Sequence, residues 1–242
     1  MEAPFCKACH ADLTTAKSLG KKNNYNLLSC PKCGTVTVDP FPTVEQLIAF
    51  YQGYKGTTDY QAKKKSKIKR ATRRIKNLKK LTEGSRFLDV GCNYGFSVKA
   101  AQDLGLDAFG IDMDGTAVSG SREMFGQKNF ETISVQDYAK RGAKADIVYT
   151  SEVIEHVPDP DGFVQAISAI LPKGGVLYLT TPDGGHWSLP GDFTKWKDVM
   201  PPEHITYFTR KGMKGLLEKH GLRVEKFFFS IKPGMRLIAR KG

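Results

Sequence analysis

No run of apolar residues in the 242-residue chain approaches the ~20 that a bilayer-spanning helix needs. The opening residues, Met1 to Cys6, hold neither a basic stretch nor an apolar one, so no secretory leader is expected. Cysteines number only five, and four of them fall in two pairs. A reducing, cytoplasmic setting is the expectation, with thiols holding metal rather than forming disulfides. Acids are nearly missing from one stretch. Residues 55–80 hold twelve Lys or Arg and a single acid, Asp59, so this segment carries +11 of the formal net charge of +12. The basic character is one segment, not a property of the whole chain. The dinucleotide fingerprint G-x-G-x-x-G is also missing from the glycine turn that matters most, where the spacing is Gly91-x-x-x-Gly95.

What is present suits an α/β domain with a small module, since length and an apolar content of 40% allow a packed core. Residues 1–42 read as that module. Cys6-x-x-Cys9 and Cys30-x-x-Cys33 are twenty residues apart, the pattern of one tetrahedral zinc site with four thiolate ligands. A redox dithiol and an iron centre are the alternatives. A region this small cannot bury a core of its own, so metal would supply its folding energy. His10 beside the first pair is read as a surface residue.

Residues 43–82 read as a connector. Thr43 caps a short helix, and an aromatic, glycine-rich stretch follows. Ile68, Ala71, Ile75, Leu78 and Leu81 then recur at helical spacing, which predicts an amphipathic helix with one apolar stripe and a dense basic face. That face is either a solvated surface or a footprint for RNA or another polyanion across residues 55–80. No aromatics interleave with the basic run, which argues against stacking on single strands.

Residues 83–242 alternate strands and helices as a parallel α/β sheet requires. Phe87, Leu88 and Val90 form a buried strand running into Gly91 and Gly95, and helical spacing resumes at Val98, Ala101 and Leu104. Ligands bind such sheets at the carboxyl ends of the strands. A second strand ends at Asp112, twenty-three residues after Asp89, where an acid suits ribose hydroxyls. Further strands are expected at 130–134, 145–150 and 176–181, helices at 160–171 and 209–220, and a closing hairpin at 224–231 and 235–240. Residues 182–208 form a long connection of the kind that often serves as a lid. They contain His186, Trp187 and Trp196, with Tyr54 and Tyr60 as candidates to close from the opposite side.

Taken in order, Asp89-Val-Gly91-Cys-Asn-Tyr-Gly95, Gly110-Ile-Asp112, Glu152-Val-Ile-Glu155-His156 and Leu171-Pro-Lys-Gly-Gly175 resemble a class I S-adenosylmethionine-dependent methyltransferase. The Glu-x-x-Glu-His stretch is most similar to the ubiquinone-pathway O-methyltransferases, and the N-terminal half to a bacterial subgroup bearing a zinc ribbon. The resemblance implies a Rossmann-like sheet of seven strands, mostly parallel with the last antiparallel. It places Asp89, Gly91 and Gly95 against the methionine part of S-adenosylmethionine, with Cys92, Asn93 and Ser151 also in the cofactor site. Asp112 would take the ribose hydroxyls, Met113 would lie against adenine, and Asp137 with Gln136 would meet the adenine amino group. Asn93 stands where the family often has glycine, and Cys92 is read as a space filler.

Methyl transfer to a hydroxyl needs its proton removed, by a general base or with the help of a metal that lowers its pKa. The candidates are Glu152, Glu155, His156 and His204. By resemblance these four would hold Mg²⁺ or another divalent metal; alternatively a histidine acts as a metal-free base. The expected function is methylation of a hydroxyl on a small molecule such as a sugar, a phenolic or a secondary metabolite. The alternatives are an RNA methyltransferase that docks through the ribbon and basic helix, and a non-catalytic assembly protein.

Overall fold

The computed structural model describes residues 4–53 and 64–242. Three antiparallel strands open the chain: β1 (Lys17–Lys22), β2 (Tyr25–Ser29) and β3 (Val36–Asp39). Helix α1 (Val44–Gly53) follows. It starts with a reciprocal box in which the Gln46 N–H donates to Thr43 Oγ1 and the Thr43 N–H to Gln46 Oε1. Helix α2 (Lys64–Leu78) carries the basic segment and buries Ala71, Ile75 and Leu78, the expected stripe.

The α/β unit then runs β4 (Arg86–Val90), α3 (Phe96–Asp103), β5 (Asp107–Asp112), α4 (Gly115–Phe125), β6 (Phe130–Thr132), α5 (Val135–Lys140) and β7 (Ile147–Ser151). After it come α6 (Pro160–Ile170), β8 (Val176–Pro182), the two-residue β9 (Thr206–Tyr207), α7 (Arg210–Lys219), β10 (Leu222–Phe227) and β11 (Gly234–Lys241). Seven strands form one sheet in the order β10-β11-β8-β7-β4-β5-β6. Five are parallel neighbours, and β11 lies antiparallel between β8 and β10. This is the expected fold class.

Strands covered on both faces are apolar throughout, and their two-residue period sorts side chains between two cores. Phe87, Tyr149 and Tyr178 pack with α2 and α3 on one face. Leu88, Val148, Leu177 and Leu179 pack with α6 and α7 on the other. The same alternation sends Thr180 towards the α2 face and Thr181 towards the opposite one. Among the elements not foreseen is α5, whose cap Ser134 accepts from the Asp137 N–H. Its six residues are too few to show a helical period.

The N-terminal strands do not stand apart. β9 pairs antiparallel with β3, Val36 opposite Tyr207 and Thr37 opposite Thr206, and completes a four-stranded sheet. Cys6, Ala8, Leu13, Cys30 and Cys33 belong to the same core cluster as α6 and α7. Burial against the α/β unit therefore adds apolar stabilisation that the N-terminal strands alone would lack.

Candidate functional site

The carboxyl end of β4 turns at Gly91 (φ 77°), whose N–H donates to the Ile111 carbonyl at 2.9 Å, as the Cys92 N–H does at 3.0 Å. Glycine is required here by protein neighbours as much as by any ligand. A Cβ on Gly91 would stand 2.3 Å from Val153 Cγ2, and one on Gly95 (φ 70°) 2.5 Å from the Phe130 ring. Asn93 also takes the left-handed conformation, at φ 47°, which asparagine tolerates better than most side chains. That is how it occupies a glycine-like position. Its Oδ1 accepts from the Tyr94 N–H, and its own N–H donates to Asp112 Oδ2 at 2.7 Å. Asp112 Oδ1 accepts from the Asp114 N–H at 2.9 Å.

Burial raises the Asp112 carboxyl above its usual range. Asp89 is only 3% exposed and is pushed up to about 8, by burial first and the Asp112 charge second. Met113, next to Asp112, is 71% exposed. A buried carboxyl with little compensation beside a glycine turn fits a ligand carrying an ammonium and a sulfonium. An uncovered thioether on the rim fits an adenine face. The residues thus match S-adenosylmethionine. Cys92 is buried against Gly110, and burial raises its thiol, so it fills space. Gln136 and Asp137 lie in the first turn of α5, where the Asp137 carboxylate is held by Ser134 Oγ and Lys140 Nζ. Ser151 Oγ sits 2.7 Å from Thr180 Oγ1.

Glu155, His156 and His204 offer ligand atoms that all lie within 4.8 Å of one another. Glu155 is fully buried. Its Oε2 accepts from Thr181 Oγ1 at 2.9 Å, while Oε1 has no hydrogen-bond partner among the described residues and faces His156 Nε2 at 3.8 Å. Burial, and then the nearby Glu152, raise its carboxyl well above the usual range. Each ring Nδ1 donates to a backbone carbonyl, His156 to Glu203 and His204 to Asp198, both at 2.7 Å. A carbonyl can only accept, so both rings carry the proton on Nδ1 and present an Nε2 lone pair. Burial holds His156 down to about 4, with His204 adding to the effect, so the ring is neutral at physiological pH.

An orphaned buried carboxylate oxygen facing oriented imidazoles fits a divalent cation. Glu152 stands outside this cluster. It ends β7 in a left-handed conformation (φ 58°) and accepts from Thr180 Oγ1 at 2.6 Å. Glu155 and His156 themselves lie in a turn of 3-10 helix, Ile154–His156, that starts two residues after Glu152, and the ligand atoms that gather come from three of the four expected residues.

The four paired cysteines also gather, all sulfurs within 4.8 Å. Cys6 and Cys33 Sγ are 3.5 Å apart, and Cys9 and Cys30 Sγ 3.6 Å. Tetrahedral zinc with bonds of about 2.3 Å needs sulfurs about 3.8 Å apart, so the geometry fits that ion. His10 is exposed and lies near Asp161; it is not in the thiol group.

The segment between β8 and β9 differs from the expected lid. Trp196 is 3% exposed and packs with Phe193 and Tyr207, so it pins the segment and does not offer a stacking face. His186 is likewise buried, bonded to Ser188 Oγ and the Ser230 carbonyl. Trp187 is 72% exposed. Tyr54 and Tyr60 lie outside the described residues.

Two arginines near the site were not singled out from the sequence, Arg74 of α2 and Arg236 of β11, which share a cavity with Glu152. Arg74 was hidden among its basic neighbours. Its position three residues after Ala71, at the edge of the apolar stripe, was the available signal.

A family model described as "Methyltransferase domain" matches residues 60–226. The ubiquinone biosynthesis O-methyltransferase of Brucella ovis is 31% identical over 121 residues, 48% of this chain and 49% of that protein. The protein of the same description from Brucella anthropi is 26% identical over 176 residues, covering 65% and 71%. The first of these matches thus spans about half the relative's length. Among solved structures, magnesium protoporphyrin IX methyltransferase from Synechocystis PCC 6803, with bound SAH, superposes with a TM-score of 0.57 at 16% identity. It covers 84% of this chain and 96% of its own, which speaks for the fold. Among the described residues no helix is long and apolar enough to cross a membrane. With the matched domain spanning more than half of the chain and the sheet order in place, the chain belongs to the class I S-adenosylmethionine-dependent methyltransferases.

Proposed function

We propose that the protein methylates a hydroxyl of a small molecule, with Glu155, His156 and His204 holding a divalent cation beside the acceptor. The observation that carries this is the buried Oε1 of Glu155, without a hydrogen-bond partner among the described residues and facing His156 Nε2 at 3.8 Å. Bound S-adenosylmethionine supplies an activated methyl group and its own leaving group. A cation in the cluster supplies a lowered acceptor pKa. The chain's part is positional. The glycine turn and Asp112 seat the cofactor at the end of β4, the two backbone carbonyls lock the imidazoles, and Glu152 at the end of β7 is a candidate proton acceptor. The names of the relatives support oxygen as the acceptor atom. The four thiols, on this reading, hold a structural zinc.

Replacing Glu155 by Gln separates a metal ligand from a packing residue. The metal-free Glu155→Gln variant should be at least as stable as the parent at neutral pH, because a costly buried carboxyl has gone. Mn²⁺ affinity, read by calorimetry, should fall by about tenfold or more. Unchanged Mn²⁺ affinity, or activity indifferent to EDTA, would remove the metal.

RNA as the acceptor is favoured by one observation, the exposed basic face of α2: Lys65, Lys69, Arg70, Arg73 and Lys76 are all exposed. An RNA affinity that drops steeply with salt would promote this second reading.

A further inference from the structure

A cavity of about 300 Å³ opens at the carboxyl ends of β7 and β8, lined by Arg74, Glu152, Thr180, Phe229, Met235 and Arg236 among others. It lies on the α2 face of the sheet, since Thr180 shares the strand parity of Tyr178. Both arginines are held from behind. Arg74 Nη1 donates to Tyr149 Oη at 3.1 Å, and its guanidinium lies 5.7 Å from the Tyr178 ring centre. Tyr149 and Tyr178 themselves stack at 4.8 Å and 12°. The Arg236 guanidinium lies 4.4 Å from the Phe228 ring centre, and its Nε is buried with no hydrogen-bond partner among the described residues.

Among the described residues neither guanidinium forms an ion pair with a carboxylate, although Glu152 lines the same cavity. Glu152 is instead engaged by Thr180 Oγ1 at 2.6 Å. Two fixed cations thus face one cavity against a single acid. Aromatic support cuts the entropy that a guanidinium fork loses on binding. A charge excess on preorganised forks is the chemistry that takes up a planar or tetrahedral oxyanion.

We propose that this cavity binds an acceptor carrying an oxyanion, a carboxylate or a phosphate, and that Arg74 and Arg236 hold that group. This rests on the methyl-transfer reading and adds to it that the acceptor sits in this cavity, beside Glu152. Anchoring the anion at the arginines turns the far end of the molecule towards Glu152 and the strand ends. Where along the acceptor the reacting hydroxyl lies is then set by its distance from its acid group.

The test is calorimetric. The full chain, loaded with S-adenosylhomocysteine, is titrated with benzoate, phenyl phosphate and the neutral twin benzamide. At least one anion should bind about tenfold or more tighter than benzamide, as charge-assisted pairs require. The anion that leads identifies carboxylate or phosphate. Arg74→Met and Arg236→Met should each erase most of that preference while leaving S-adenosylhomocysteine affinity unchanged. Arg74→Lys and Arg236→Lys, which keep the charge without the fork and disturb packing less, should fall between. Benzamide binding as tightly as both anions, no anion binding, or an anion preference that survives the double Met variant would each overturn the proposal. Failure of the methyl-transfer reading shows differently: S-adenosylhomocysteine would not bind, while the arginine-dependent anion preference would persist without it.

Discussion

Asp89 is where a single side chain links fold, pH and cofactor. An unperturbed aspartate titrates near 4, whereas burial and Asp112 push Asp89 up to about 8. The folded chain therefore holds a proton that the unfolded chain releases between about pH 4 and pH 8. By linkage, this group's contribution to stability falls as pH rises through that window and is lowest above it. A cationic ligand beside Asp89 reverses the preference, because it needs the carboxylate ionised. Affinity for S-adenosylmethionine should therefore rise with pH from 6.5 towards 8, by at most about tenfold per unit, and level off above. In Asp89→Asn the affinity should be weaker and flat over the same range, while the cofactor-free variant should melt higher than the parent at pH 8. Calorimetry and thermal denaturation across pH check both halves. Asn93 carries a second residue-scale prediction. At φ 47° a β-branched side chain is strained, so Asn93→Val should cost about 1–2 kcal/mol by denaturant unfolding. Asn93→Gly should stay near the parent.

At the scale of elements, the contact between the N-terminal strands and α7 is the joint on which the site depends. Thr209 caps α7 by accepting from the Gly212 N–H at 3.0 Å, and its Oγ1 donates to the Cys33 carbonyl at 2.6 Å. Gly212 allows the approach: a Cβ there would stand 2.2 Å from Thr35 Oγ1 and 3.3 Å from Cys33 Sγ. Gly212→Ala should therefore destabilise by about 1–3 kcal/mol, the range for overpacking, although alanine is the better helix former. A melting temperature equal to or above the parent's would show that the joint is slack. None of this joint was legible in the sequence. Local patterns are: the turn after Val90, the acid closing β5 and the stripe on α2 all follow from periods of two or 3.6 and from glycine spacing. A two-residue strand such as β9 has no period, and its partner β3 lies about 170 residues away. The reduction of the Glu/His set was hidden for a related reason. Spacing alone does not tell a helical turn, which would put Glu152 and Glu155 on one face, from a strand end followed by a 3-10 turn, which parts them. The burial of Trp196 was not legible, because burial inside a long connection depends on what packs over it, here Phe193 and Tyr207.

Across the whole molecule, two candidate metal centres are tied together by a short path. Cys33 sits at the start of α7 through Thr209, β3 pairs with β9, and Ile205, just before β9, donates its N–H to the Glu155 carbonyl at 3.0 Å. His204 precedes Ile205 in the chain. The thiol cluster therefore borders the segment that carries one of the three candidate ligands of the Glu155 group. The dependence runs in one direction. Without a cation, the Glu155 group keeps its hydrogen bonds to Thr181 and to the two carbonyls, so the fold persists. On the zinc reading, losing the ion removes the charge that organises the four thiols, and the strand ladder that sets β9 loosens with them. Releasing zinc with a mercurial thiol reagent should lower the melting temperature by many degrees and also weaken Mn²⁺ binding at the Glu155 group. Stripping the more weakly held cation with EDTA, at concentrations that leave the zinc in place, should change the melting temperature little. Zinc content by mass spectrometry, melting by calorimetry and Mn²⁺ affinity, measured on the same samples, decide it. Mn²⁺ affinity that survives complete zinc release would show that β9 is held by the α/β core alone and that the two centres are independent.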